Sequence, residues 1–308
     1  MQLYLPIAEL TVNIFVYLGM GAAVGFISGM FGVGGGFLLT PLLIFSGISP
    51  AVAVATVTPQ IVASSTSAAI SYWRRRMIDP QLTMFLIVGG VTGSWLGVRV
   101  FTMLRSLGQL DVIISLSYVT FLGLIGGLML REALRSFLRA RRGRPPNLRR
   151  GRHHNWLLGL PFKVRFRRSK LYVSVIPVIL LGLSIGFLGT VLGIGGGFIM
   201  VPALIYLLRV PSNVVIGTSL GYILFTMALA TVLHSLENGA VDLMLACLLI
   251  VGGVVGAQFG AQIGQAMRGD QLRLFLALLV LAVALRFLLN LFLPPASLYS
   301  IALLQGIG

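Results

Sequence analysis

The chain has 308 residues, 57% of them hydrophobic and only 10% charged, with a mean hydropathy of +0.99. A soluble domain carries about 25% charged residues to coat its surface, so this composition excludes a soluble globular protein. The net charge of +16 is concentrated: fourteen of the 23 Lys and Arg lie between Arg131 and Lys170, and Arg74, Arg75 and Arg76 add three more. Such clustering is expected of the cytoplasmic loops of a membrane protein, and it removes the need for a nucleic-acid partner.

Residues Met1 to Pro6 carry no basic region, and no small-residue cleavage site follows the first apolar run. That run is therefore expected to stay as a span and not to leave as a signal peptide. Apolar runs follow at 12–30, 33–47, 51–73, 80–101 and 110–130. After a hydrophilic insert at 131–170, rich in arginine and holding Pro145 and Pro146, five more occupy 171–192, 194–208, 212–236, 240–264 and 272–293. Most reach the ~20 residues that cross ~30 Å of hydrocarbon. The second and seventh are shorter and cover only about 24 Å. The predicted organisation is a first transmembrane repeat (1–130), a basic cytoplasmic linker (131–170) and a second transmembrane repeat (171–308). The single cysteine, Cys247, excludes an internal disulfide and disfavours a cysteine-based metal site.

The two halves repeat one another. At an offset of 161, Gly25, Gly32, Gly34, Gly35, Gly36, Phe37 and Pro41 match Gly186, Gly193, Gly195, Gly196, Gly197, Phe198 and Pro202. One inserted residue later Thr56 matches Thr218, and at an offset of 163 Asp79 matches Asp242 while Leu86 to Val91 match Leu249 to Val254. Repeats of this kind mark transporters, whose sites lie where the halves meet. The loop after Tyr72 is basic, whereas its counterpart Glu237-Asn238-Gly239 has no Lys or Arg; basic residues appear instead at Arg209, Arg268 and Arg273. Opposite charge at equivalent loops predicts inverted halves. Inversion requires an odd number of spans in each, hence five plus five with both termini outside. The rival arrangement has re-entrant short segments, four spans per half and parallel repeats.

The strongest motif is the doubled glycine turn, Gly32-Val33-Gly34-Gly35-Gly36-Phe37 and Gly193-Ile194-Gly195-Gly196-Gly197-Phe198. Glycine disfavours helix by ~1 kcal/mol relative to alanine, so four in five positions break it. A break in hydrocarbon survives only where protein or water satisfies the released backbone groups. The short helix that follows aims unpaired N–H donors and a partial positive charge at the break, which suits an anion. The bland alternative is close helix packing through small residues, and it accounts for Gly89, Gly90, Gly93 and Gly97.

Candidate substrate-binding residues are therefore Gly34, Gly35, Gly36, Gly195, Gly196 and Gly197, joined by Thr56, Gln60, Thr218 and Ser219 on the spans after each turn. Hydroxyls and amides can donate to an oxyanion without a charge that would trap it; alternatively the hydroxyls bond to their own helix carbonyls. Asp79 and Asp242 start long spans, where helix N-capping is the expected role. His234 reads as structural or interfacial, and Arg286 as snorkelling to the outer interface. No metal cluster, nucleotide loop or cofactor motif is recognisable, and no catalytic residue is assigned. The aromatic and basic residues of 131–170 suggest a segment lying on anionic lipid.

The twin segments Gly29 to Pro41 and Thr190 to Pro202, with the Thr218-Ser219 stretch, resemble the sulfite exporter TauE/SafE family over roughly 10–135 and 170–290. The resemblance implies a multi-pass protein of the bacterial inner (plasma) membrane that exports sulfite, an organosulfonate or a related sulfur-containing anion by secondary transport. The alternatives are an anion channel with a continuous pore and, third, an integral membrane enzyme. The scarcity of acids, histidines and cysteine in the spans leaves an enzyme little to work with.

Overall fold

The computed structural model describes residues 2–141, 162–166, 168–169, 171–208, 210–266 and 269–292. Among these the chain is almost entirely helical. The first half holds α1 (Ile14–Phe31), α2 (Gly36–Phe45), α3 (Pro50–Arg74), α4 (Pro80–Ser106) and α5 (Leu110–Arg141). The second half holds α6 (Val175–Leu192), α7 (Gly197–Tyr206), α8 (Ser212–Leu233), α9 (Leu243–Ala266) and α10 (Gly269–Phe292). Six helices are long and apolar enough to cross a membrane by length and composition, so this is a polytopic helical membrane protein. Each of the ten apolar runs contains one helix. Much of the insert read as a linker, 142–161, lies outside the described residues, and with it most of the segment expected to lie on lipid. Its first residues continue α5 to Arg141.

Sequence reading missed two small hairpins. β1 (Gln2–Leu5) pairs antiparallel with β2 (Leu10–Asn13), and β3 (Lys163–Phe166) with β4 (Leu171–Ser174). Each leads directly into the first helix of its half, whose N-cap is the Asn13 or Ser174 side chain. Both hairpins sit at the 161-residue offset, so the repeat begins earlier than the glycine motif suggests.

Glycine stripes bring helices of different halves into backbone contact. α1 runs alongside α9 in the same direction: a Cβ at Gly21, Gly25 or Gly29 would strike the backbone of Leu249, Gly253 or Ala257. Gly252, Gly256, Gly260 and Gly264 return the contact against α1. α4 and α6 do the same, with Gly89, Gly93 and Gly182 each facing backbone. Without a hydrophobic force between helices in lipid, such close packing is what holds them. The small-residue reading of Gly89, Gly90, Gly93 and Gly97 describes what these residues do.

α3 and α8 cross antiparallel. The start of α3 meets the end of α8, where Thr231 Oγ1 lies 3.0 Å from Thr58 Oγ1, and the segment leading into α9, where the Asp242 N–H donates to Thr56 Oγ1 at 3.0 Å. The far end of α3 meets the start of α8, where a Cβ at Gly217 would lie 2.5 Å from the Met77 carbonyl. Both aspartates cap their helices as expected: Asp79 Oδ1 accepts from the Gln81 and Leu82 N–H groups, and Asp242 Oδ1 accepts from Leu245 N–H. Their second oxygens reach the hairpin of the opposite half. Asp242 Oδ2 accepts from the N–H groups of Ile7 and Ala8, and Asp79 Oδ2 from the N–H and hydroxyl of Ser169 at 2.8 and 2.7 Å.

Candidate functional site

The two glycine turns meet back to back in the protein interior. In each, α1 or α6 ends on a left-handed glycine (Gly32, Gly193), and two further left-handed glycines (Gly34, Gly35; Gly195, Gly196) redirect the chain into the short helix. These positions have φ between +65° and +83°, which side chains rarely adopt. The fourth glycine serves contact: a Cβ at Gly36 would collide with the Gly193 carbonyl, and one at Gly197 with the Val33 carbonyl. Phe37 and Phe198 stack across the junction with ring centroids 5.7 Å apart. Ile61 from α3 and Ile223 from α8 close over Gly34 and Gly195.

Carbonyls released by the breaks are satisfied across the halves. Gly32 O accepts from Ser219 Oγ at 3.0 Å and Gly193 O from Thr40 Oγ1 at 2.9 Å. The Tyr118 hydroxyl donates to Leu192 O at 2.8 Å. This is the partnering a helix break inside a membrane protein demands. At the starts of α2 and α7 the turns satisfy part of the N–H side themselves: Gly36 donates to Gly34 O at 2.8 Å, Leu38 to Gly35 O at 3.0 Å and Ile199 to Gly196 O at 3.2 Å.

The expected site residues separate into two groups. Gly34, Gly35, Gly36, Gly195, Gly196 and Gly197 form the junction itself. Thr56 and Thr218 lie at opposite ends of the α3–α8 pair, and their hydroxyls accept the Asp242 and Asp79 N–H groups at 3.0 and 3.3 Å. Ser219 is committed to Gly32 O and to Ile216 O. These three hydroxyls hold the fold together, so their reading as anion donors draws no support from their surroundings. Gln60 differs: it is fully buried, and neither its amide oxygen nor its nitrogen has a hydrogen-bond partner among the described residues.

Gln60 sits where α1, α3 and α9 meet. A Cβ at Gly253 would lie 2.5 Å from its Nε2, and Gly253 is the residue against which Gly25 packs. One turn along α1 from Gly25, Ser28 also keeps a fully buried hydroxyl without a partner among the described residues, and a Cβ at Gly35 would be 3.2 Å from the Ser28 Cβ. Sequence reading missed Ser28, because nothing in an apolar helix tells a serine bonded to its own carbonyl from one held beside a helix N-terminus. Ser28, against the Gly35 turn, and Gln60, against Gly253 on the α1–α9 contact, are thus two polar side chains buried without a hydrogen-bond partner among the described residues.

The second half lacks this pair. The counterpart of Gln60 is Tyr222, which lies on Gly90 and donates its hydroxyl to Gly182 O at 2.6 Å. Gly189 replaces Ser28, and Ile185 packs over Gly196. His234 is buried edge-on against Phe101 with Nε2 3.3 Å from Thr190 O, a structural setting. Arg286 lies over the Phe45 ring at 5.7 Å. Among the described residues no group of three metal-ligating side chains comes together.

Comparison with known proteins gives this geometry a context. The family model described as sulfite exporter TauE/SafE matches residues 17–287. The chain is 28% identical to the "Probable membrane transporter protein YjnA" of Bacillus subtilis over 272 residues, covering 87% of this chain and 97% of that protein. It is 30% identical to a "Probable membrane transporter protein" of Xylella fastidiosa over 278 residues, covering 89% and 94%. A shorter match, 27% identical over 100 residues, joins it to the "Sulfite exporter TauE/SafE family protein 3" of Arabidopsis thaliana, covering 32% of this chain and 21% of that one. No solved structure matches significantly. With the family's model spanning both glycine turns and every helix from α1 to α10 in full or in large part, the chain belongs to the sulfite exporter TauE/SafE family of membrane transporters and is not an enzyme.

Proposed function

We propose that this protein is a secondary transporter of a small sulfur-containing anion (sulfite or an organosulfonate) in the bacterial plasma membrane, exporting it by alternating access between two inverted five-helix halves. The antiparallel crossing of α3 and α8, which are repeat equivalents, supports inversion. So does the exchange of aspartate contacts, each half's carboxylate holding the hairpin of the other. The observation that carries the binding site is Gln60, a fully buried amide with no hydrogen-bond partner among the described residues, next in sequence to Ile61, which covers the Gly34 and Gly36 turn. An anion there would accept from the Gln60 amide and the Ser28 hydroxyl at the positive end of α2, whose Gly36 and Leu38 N–H groups are already held by the Gly34 and Gly35 carbonyls. Charge-assisted bonds of this kind contribute about 1.5–3 kcal/mol each.

The site is asymmetric in this reading. Gly34, Gly35 and Gly36 bind, while Gly195, Gly196 and Gly197 supply the backing surface on which the two halves rock. The stacked Phe37–Phe198 pair and the fully buried turns favour a transporter over a channel, since they block a continuous pore. Proteoliposomes test both points. Vesicles preloaded with unlabelled sulfite should take up [35S]sulfite by counterflow, saturably, with methanesulfonate competing. Linear, non-saturable flux without counterflow would favour the channel, and flux of neither anion would overturn the substrate class.

A further inference from the structure

Between α3 and α9 lies an open cavity of about 600 Å³ whose lining is unlike the rest of the helical surface. Arg74, Arg75, Gln258, Gln262, Ser67 and Ser71 face it, and no carboxylate among the described residues lines it. Two guanidiniums and two carboxamides facing hydrocarbon would be costly, so the groove must hold water. Its arginines have no ion-pair partner among the described residues, where the one salt bridge joins Arg99 to Glu237 at 3.7 Å. The groove also leads inward. Val254 in its wall adjoins Gly253, against which Gln60 lies, and Gln60 is one turn below the lining residue Ala63. Ser67, two turns above Gln60, keeps a buried hydroxyl oxygen with no hydrogen-bond partner among the described residues.

The repeat supplies an internal control. In the corresponding place between α8 and α4, Ser67, Ser71 and Arg74 are replaced by Leu229, Leu233 and Leu236, and Gln258 by Trp95. Arg75 is replaced by Glu237, which pairs with Arg99, the counterpart of Gln262. One face of the protein therefore carries a wet, cationic groove, while its counterpart is apolar and charge-compensated.

The geometry points to the α3–α9 groove as an anion-collecting vestibule, in which Arg74 and Arg75 draw the oxyanion from the cytoplasm and pass it along Ser71 and Ser67 to Gln60. This rests on the transport reading above and adds to it the face from which substrate is captured. Oppositely charged walls concentrate an anion and raise its capture rate, an effect that salt screens over about 10 Å at 0.1 M.

The test uses the full-length protein in proteoliposomes with [35S]sulfite. Arg74→Gln/Arg75→Gln should raise KM about tenfold at low ionic strength while leaving the maximal rate near wild type, and the difference should shrink at 0.5 M NaCl. In a Cys247→Ala background, Arg75→Cys alkylated with 2-bromoethylamine, a cationic thioether that sulfite does not cleave, should regain low KM, whereas alkylation with iodoacetate, an anionic one, should raise it further. A merely structural arginine would not respond to the sign of the reagent. Wild-type transport with an unchanged KM in the double variant, or equal effects of the two reagents, would overturn the vestibule alone. Wild-type vesicles that carry neither sulfite nor methanesulfonate would overturn the transport reading and the vestibule with it.

Discussion

Replacing Gln60 by leucine separates a binding role from a structural one, because the two make opposite predictions for stability. The amide is fully buried and both its polar atoms lack partners among the described residues. Such a group destabilises the empty protein by about 1–3 kcal/mol relative to an apolar side chain of similar shape. Leucine is one atom shorter, and Gly253 gives it room where the amide now lies. Gln60→Leu should therefore raise the thermal stability of the detergent-purified protein. At the same time it removes one charge-assisted hydrogen bond to the anion, about 1.5–3 kcal/mol, which corresponds to roughly a 10- to 150-fold loss of affinity. Tryptophan fluorescence or size-exclusion thermostability reads the first quantity, and calorimetric sulfite binding reads the second. A destabilised Gln60→Leu protein with unchanged sulfite affinity would refute the reasoning and make the glutamine a structural residue.

Other expectations follow from the same contacts. Thr56→Ala and Thr218→Ala each leave a buried aspartate N–H without its acceptor, so each should destabilise the protein by about 1–3 kcal/mol while sulfite affinity stays within about twofold, read by the same two assays. For orientation, single cysteines at Asn238 and Arg75 in a Cys247→Ala background should differ, with only position 238 reacting with an impermeant thiol reagent added outside; the reverse labelling would overturn the proposed topology.

Gly35→Val, an obvious probe of the turn, is a poor discriminator. Gly35 has φ +69° and its Cβ would lie 3.0 Å from Val24 Cγ1, so the substitution strains the backbone whether or not an anion binds there. The glycine motif is legible in sequence because it does two jobs, left-handed backbone and carbonyl contact, that only one residue type can do. Legibility of that kind says where the chain breaks, and it is silent about which side of the break is used.

The sequence by itself determined the membrane class, the ten helical segments, the doubled turn and the 161- to 163-residue repeat. These are properties of local composition and of register, and both can be read along one chain. Even the N-capping roles of Asp79 and Asp242 followed from their position ahead of long spans. The hairpins escaped because four-residue strands beside apolar runs carry too little periodic signal to be told from the start of a span. What only the tertiary structure decided is the fate of each polar side chain. Thr56 and Gln60 are four residues apart on one helix and equally buried. Yet Thr56 meets Asp242, a residue 186 positions away, while Gln60 meets the bare backbone at Gly253 and finds no hydrogen-bond partner among the described residues. A hydrogen bond is settled by which group arrives within about 3 Å, and in a protein of interlocked halves that group comes from the other half of the chain.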